Sequence, residues 1–161
     1  EWMRANPREF VAAEQDFRVT IGRAVLAGQV DRLERDAEGR LVVVDLKPGK
    51  SQPKKDDLAE HAQLGAYQLA IAEGAFDDIA PDSRVPGGAE LVQLGGKQKK
   101  APVQEQAALA AGDSTWAHEL VRRVADAMAG ASFDAVDNDM CRSCPVRTSC
   151  PVQREGRQVT A

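Results

Sequence analysis

The chain has 161 residues, of which 43% are hydrophobic and 29% are charged, and its formal net charge is −4. These values are typical of a globular domain with a substantial core and exclude a disordered chain. No apolar run approaches the ~18 residues that span a bilayer, and the acidic balance argues against a surface that coats nucleic acid generally, though not against a local phosphate track.

The first elements predicted along the chain are a short helix and three strands. Asn6-Pro7-Arg8-Glu9 has the residues of a helix start, with asparagine as the cap and proline in the first turn. Alternating apolar and polar residues predict a strand at 17–21, and two further strands are predicted at about 24–35 and 40–47, the last with an aliphatic run. Between the last two strands, Asp36-Ala37-Glu38-Gly39-Arg40 predicts a tight turn with glycine at its left-handed position.

Helices and one further strand are predicted after this hairpin. A long helix begins at Asp56-Asp57 and ends at Gly74, and a second amphipathic helix covers 114–129. A strand at 89–94 lies between them, while 97–112 is compatible with either a short helix or a loop. Strands followed by helices that pack on them predict an α/β domain.

The predicted hairpin brings two acidic residues face to face. If Asp36 pairs with Arg40 across the turn, counting outward places Asp31 directly opposite Asp45. Directly opposed β-carbons are about 4.5–5.5 Å apart, so the two carboxylates repel each other unless a cation lies between them. Oxygen ligands on a rigid hairpin suit Mg²⁺ or Mn²⁺. Lys47 shares a face with Asp45 and can hold or deprotonate an attacking water, so the pattern predicts phosphodiester hydrolysis.

An Asp-x-Lys pattern in a strand also has a simpler interpretation. It is usually surface patterning, because short motifs recur by chance. Two features favour the functional interpretation. Asp45 follows the aliphatic run Leu41–Val44, where an unpaired charge would be costly, and the register aligns Asp31 with it.

The three cysteines of the chain all lie between Cys141 and Cys150, in the pattern C-x2-C-x5-C-P. An odd number in a tight group is unsuited to disulfides and suits a metal or cluster site. On spacing alone, zinc and an iron–sulfur cluster both remain open.

Three ordered motifs resemble those of the RecB-like branch of the PD-(D/E)xK nucleases. Gly28-Gln29-Val30-Asp31-Arg32 is similar to the G-x-x-D-R motif of that branch. Asp45-Leu46-Lys47-Pro48-Gly49 is similar to D-x-K-T-G, and Gln63-Leu64-Gly65-Ala66-Tyr67 to Q-x-x-x-Y. Three motifs in order are far more specific than any one of them.

This resemblance implies a restriction-endonuclease-like core, in which a mixed β-sheet carries the site on a β-hairpin and helices flank the sheet. It implies a metal-dependent deoxyribonuclease whose catalytic residues are Asp31, Asp45 and Lys47. The two acids would bind Mg²⁺ or Mn²⁺. Gln63 and Tyr67, which share one helix face, would position DNA.

The tail resembles that of family members whose nuclease domain is closed by a [4Fe–4S] cluster, such as the C-terminal modules of AddAB- and AdnAB-type helicase–nucleases. The resemblance implies that Cys141, Cys144 and Cys150 hold such a cluster. Its fourth ligand would lie upstream of these 161 residues, unless His118 or an outside group replaces it. The implied domains are a nuclease core over 1–135 and a cysteine-rich closing tail over 136–161.

The same resemblance implies an exonuclease that receives DNA from a helicase motor domain or partner subunit. Its role would be double-strand-break processing and recombinational repair. No signal peptide is visible, so we expect a cytoplasmic protein with no membrane partner.

Two departures from the family pattern bear on activity. Pro48 stands where the family has threonine, which removes a backbone donor and a hydroxyl beside the site. The ligand that the family takes from an upstream helix has no clear match, and Glu14 is the candidate for a supporting role. Two alternatives therefore stay open: a domain of this fold that binds DNA ends without cutting them, and a small zinc-stabilised interaction domain.

Overall fold

The protein is described by a computed structural model that covers residues 2–49, 52–95, 101–112, 115–132, 134–154 and 156. Its strands are β1 (Glu9–Ile21), β2 (Ala24–Arg35), β3 (Leu41–Lys47), β4 (Pro86–Gln93) and β5 (Val103–Gln106). Its helices are α1 (Trp2–Ala5), α2 (Lys55–Leu58), α3 (Ala62–Ala72) and α4 (Trp116–Ala129), and two 3-10 turns follow at Asp139–Ser143 and Arg147–Ser149.

The strands form one sheet in the order β1-β2-β3-β4-β5. β3 and β4 are parallel and joined by the crossover that contains α2 and α3, whereas the other neighbours are antiparallel. This mixed sheet with flanking helices confirms the predicted α/β class and restriction-endonuclease-like core. Within the described ranges, no helix combines the length and apolarity that a bilayer crossing requires.

The predicted hairpin register is confirmed. β2 pairs with β3 from Arg35 opposite Leu41 to Arg32 opposite Val44. The turn is closed by Asp36, whose N–H donates to the Arg40 carbonyl at 3.0 Å and whose Oδ1 accepts the Arg40 N–H at 2.8 Å. Partial burial raises the pKa of the Asp36 carboxyl, but the hydrogen bonds that this carboxylate accepts from Arg40 hold its pKa below the usual range.

The turn also requires its glycine. Gly39 has φ +80°, in the left-handed region that favours glycine, as its position in the sequence predicts. A closed turn with one allowed register therefore positions every residue of β3 relative to β2.

The prediction of a single helix from residue 56 to residue 74 is wrong, because α2 and α3 are separate. In a continuous helix the Leu58 carbonyl pairs with the N–H of Ala62. Here it accepts the side-chain amide of Gln106, on β5, at 2.8 Å and the N–H of His61 at 3.2 Å. A hydrogen bond from a distant strand thus ends α2, although the local sequence pattern predicts that the helix continues.

The predicted helix start at Asn6 is also wrong, since α1 ends before Asn6 and β1 begins after Arg8. The Asn6 amide donates to both carboxylate oxygens of Glu34 at 2.7 and 2.6 Å. Arg8 donates to Glu34 at 3.0 Å and also to Glu90. Glu34 is completely buried, so these side chains are partners of a buried acid and not of a helix end.

The core lies between the sheet and α3. It contains Phe17, Val30, Leu33, Leu41, Val43, Leu58, Leu64, Ala70, Ile71, Phe76, Ala80, Ala89 and Leu91. α4 packs on α3 through Trp116, whose ring lies where a side chain at Gly65 would be. Glycine at this position therefore allows the two helices to approach closely.

The chain forms two compact units, residues 1–125 and 126–161. The first contains the sheet, α1 to α3 and most of α4. The second contains the end of α4 and both 3-10 turns, with its three cysteines free and half-buried. The sequence-based boundary between residues 135 and 136 stays a prediction.

Candidate active site

Asp45 and Lys47 lie at the carboxyl end of β3, just beyond the last paired residues of the hairpin. Asp45 is only 2% exposed. The Lys47 Nζ lies 2.8 Å from the Asp45 Oδ2 as an ion pair. Apart from this ion pair, the buried Oδ2 has no hydrogen-bond partner among the described residues. An anionic oxygen of this kind can accept a cation.

Asp31 reaches the same place from the neighbouring strand. The ladder between β2 and β3 stops one step before Asp31 and Asp45 would pair. Instead, the Asp31 Oδ2 accepts the backbone N–H of Leu46 at 2.6 Å. This bond to the residue after Asp45 brings the two carboxylates to one end of the hairpin, as the register predicts.

Gln63 and Tyr67 extend the site onto α3. The Lys47 Nζ donates to the Gln63 Oε1 at 3.0 Å, and the Gln63 Nε2 donates to the Tyr67 hydroxyl at 2.9 Å. The Tyr67 hydroxyl in turn donates to the Gln29 carbonyl at 3.2 Å. Because the donor end of the Gln63 amide is taken by Tyr67, its acceptor end faces Lys47.

The pKa of Tyr67 also depends on the charges of the site. Burial raises the pKa of the Tyr67 hydroxyl above its usual range, and the negative charges of Asp45 and Asp31 raise it further against the effects of Gln63 and Lys47. The Tyr67 ring packs edge-on against Phe17 with centroids 5.9 Å apart. The hydroxyl therefore stays protonated and acts here as a hydrogen-bonding group.

The residues present fit a hard divalent cation. Asp31 and Asp45 both lie at the end of the hairpin, and the buried Asp45 Oδ2 has no hydrogen-bond partner among the described residues. No group of three or more His, Cys, Asp or Glu side chains in the described ranges is placed to hold a metal ion. Asp31 and Asp45 would thus be the protein ligands of Mg²⁺ or Mn²⁺, with water and substrate completing the shell.

Three other residues lie near these elements, and Glu14 is on β1 between Ala13 and Gln15, which pair with Arg32 and Val30 on either side of Asp31. Glu14 is exposed on β1, with a φ of +49°. His61, just before α3, is half-buried, and its Nδ1 has no hydrogen-bond partner in the described part of the chain. Both ring nitrogens of His118 are engaged, by Thr115 at 2.9 Å and Glu73 at 3.0 Å, and its role as a cluster ligand stays a prediction.

The cysteines are not arranged as a ligand set. Cys141, Cys144 and Cys150 are free, and within the described ranges they belong to no group of side chains placed to hold a metal ion. The backbone N–H of Asn138 donates to the Cys141 Sγ at 3.3 Å. The described arrangement of these thiols does not support an iron–sulfur cluster, and their role as cluster ligands stays a prediction.

Sequence reasoning missed two residues at the site. The Gln29 carbonyl receives the Tyr67 hydroxyl, and a backbone acceptor leaves no signal in a sequence. Gln93, on β4, is paired with Lys47 and its side chain contacts the turn after Lys47. A parallel pairing across a crossover cannot be counted from a turn, so only the folded chain reveals it.

The fold and this arrangement define a class of protein. The family model of the PD-(D/E)XK nuclease superfamily matches residues 1–151. The chain belongs to this superfamily.

Solved structures support the fold. A crystal structure of the protein SSO0001 aligns with a TM-score of 0.54 and 18% sequence identity, over 88% of this chain and 61% of that one. The chain thus spans about three fifths of the length of that protein, and the likeness concerns the fold alone. Among curated proteins there is no significant match to the chain.

Proposed function

We propose that the chain is a metal-dependent deoxyribonuclease that degrades DNA from an end. Asp31 and Asp45 would bind Mg²⁺ or Mn²⁺, Lys47 would assist the attacking water, and Gln63 and Tyr67 would position substrate and lysine. The observation that carries this proposal is the buried Asp45 Oδ2, which lies 2.8 Å from the Lys47 ammonium and has no other partner among the described residues. A buried carboxylate so placed is costly in a purely structural role and useful as a cation ligand.

The bound ion, Lys47 and Tyr67 would each have a separate role in the reaction. A bound divalent ion supplies Lewis-acid chemistry, which neutralises charge on the phosphate and activates water. The Lys47 ammonium, held between Asp45 and Gln63, can donate a hydrogen bond to the incoming water or to a phosphate oxygen. Tyr67 keeps the Gln63 amide oriented, so the lysine is positioned before substrate arrives.

An assay on end-labelled DNA tests the proposal. We expect the protein to shorten a linear single strand when Mn²⁺ or Mg²⁺ is present and to stop when the ion is chelated. A circular single strand of the same sequence is the matched control, because it offers the same phosphodiesters without an end. Products are resolved by length on a denaturing gel.

Each outcome of the assay has a distinct meaning. Cutting of the circle at the same rate would overturn the exonuclease assignment and leave a nuclease. Binding of the linear strand without any cutting would support the alternative, a domain that holds DNA ends.

We further propose that this nuclease works beside a helicase motor domain or partner subunit in cytoplasmic double-strand-break repair. The resemblance of the three motifs and the tail to AddAB- and AdnAB-type modules supports this role. A motor would supply unwound strands, so the isolated domain should cut single strands faster than blunt duplexes. Equal rates on both substrates would contradict the dependence on a motor.

The spacing of the tail cysteines supports a separate proposal, that Cys141, Cys144 and Cys150 are ligands of a [4Fe–4S] cluster. The described arrangement of the thiols does not support it. Protein purified under argon should then contain iron and sulfide and absorb in the visible range, and Cys150→Ser should lose both. One zinc per chain without iron would instead favour the zinc-stabilised alternative.

A further inference from the structure

The turn that follows Lys47 is held by the next strand of the sheet. β4 runs parallel to β3, and Gln93 is paired with Lys47. Immediately beyond, the N–H of Leu94 donates to the Lys47 carbonyl at 2.8 Å. The carboxyl end of β4 therefore determines where the backbone of Lys47 lies.

The side chain of Gln93 holds the residue two positions further along. Gln93 is 5% exposed, and its Nε2 donates to the carbonyl of Gly49. Pro48, between Lys47 and Gly49, has no N–H and cannot donate to a neighbouring strand. The amide of Gln93 thus satisfies the Gly49 carbonyl, an acceptor within the turn, from the neighbouring strand.

Gly95, two residues after β4, also packs against this turn. A β-carbon at Gly95 would overlap the carbonyl oxygens of Pro48 and Gly49, so the backbone of Gly95 packs directly on them. These oxygens belong to backbone and cannot swing away as a flexible side chain would. The turn is therefore held by a side-chain amide and by close backbone packing, both from the end of β4.

We propose that Gln93 is a positioning residue for the reaction: it acts through the Lys47–Gly49 turn to hold the Lys47 ammonium between Asp45 and Gln63. This inference rests on the proposed nuclease function. The ammonium lies 2.8 Å from the Asp45 Oδ2 and 3.0 Å from the Gln63 Oε1, distances that leave little tolerance. A displacement of about 1 Å at a reacting group can lower a rate by roughly 10²-fold.

The chain offers a matched control for Gln93. Gln104, on β5, also donates its side-chain amide to a loop carbonyl, that of Pro53, at 3.0 Å. Both amides hold the connection between β3 and α2, but Gln104 holds the end far from Lys47 in sequence. Gln93→Met and Gln104→Met each keep the length of the side chain and remove its hydrogen bond.

The experiment combines kinetics with hydrogen exchange. We expect Gln93→Met to lower kcat on a linear single strand by about 10-fold or more. KM and the Mn²⁺ concentration at half-maximal rate should stay within about twofold, because the ligands of the ion do not move. Amides in a peptide that spans residues 45–49 should exchange faster than in wild type. Gln104→Met should match wild type in kcat and in the exchange of this peptide.

The readouts separate failure of this inference from failure of the proposed function. Unchanged kcat and exchange in Gln93→Met would overturn the positioning role, and so would equal losses in both variants, since these would indicate general loop packing. A rise in the Mn²⁺ concentration at half-maximal rate that accompanies the loss of kcat in Gln93→Met would also overturn the positioning role. A wild type without metal-dependent cutting would overturn the proposed function, while exchange would still decide whether Gln93 holds the turn.

Discussion

Asp45→Asn should lower the rate of metal-dependent DNA cleavage on the order of 10³-fold. Asparagine keeps the size of the side chain but removes its charge, so the end of the hairpin loses its most buried anionic oxygen. It also places amide hydrogens where the Lys47 ammonium now meets a carboxylate. The rate is measured on a linear single strand over a range of Mn²⁺ concentrations.

The stability of this variant should change little. The Lys47 side chain is 38% exposed and can turn toward water when its partner is lost, so the melting temperature should stay close to that of wild type. Asp57→Asn, at an exposed acid on α2, is the control and should cut DNA at the wild-type rate. Equal activity of Asp45→Asn and Asp57→Asn would contradict the role assigned to Asp45.

Arg8→Met should destabilise the fold by about 3–5 kcal/mol, because it leaves the buried Glu90 without the Arg8 guanidinium and the buried Glu34 with Arg32 as its remaining ion-pair partner. Arg8 bridges Glu34 and Glu90, whose side chains are 0% and 5% exposed. Burial opposes the charged form of Arg8, but the hydrogen bonds and charges of Glu90 and then Glu34 raise its pKa above the usual range. At this chain length the loss corresponds to a fall in melting temperature on the order of 10 °C.

Two comparisons isolate the cause of this loss. Arg35→Met removes an ion pair of 3.8 Å with Glu9, whose side chain is 73% exposed, and should cost about 1 kcal/mol or less. Arg8→Met combined with Glu90→Leu should recover part of the loss, because removing both partners leaves no buried charge unpaired. An Arg8→Met protein as stable as Arg35→Met would contradict the prediction.

The hairpin shows how much of the site local sequence can predict. Its register follows from two neighbouring residues, Asp36 and Arg40, and from a glycine with a positive φ. A strand repeats every two residues, so a closed turn determines which side chains face each other. Gln63 and Tyr67 are likewise predicted together, because residues four apart share a helix face.

Interactions between distant segments were not predictable in this way. The break between α2 and α3 depends on Gln106, and the role of Arg8 depends on Glu34 and Glu90. In each case a buried polar group takes its partner from a distant segment of the chain, and local propensity contains no information about that partner. Asn6 illustrates the error that follows, since its sequence context is that of a helix cap and its amide instead satisfies Glu34.

The sequence by itself determined the α/β class, the hairpin and the alignment of Asp31 with Asp45, because each depends on short-range periodicity and on one turn. Only the tertiary structure decided how Lys47 is held. Gln63 reaches it from α3, and Gln93 reaches its turn from β4 across a parallel pairing. The crossover between β3 and β4 is long, so neither contact has a register that can be counted along the chain; packing of the helix and sheet brings these groups together.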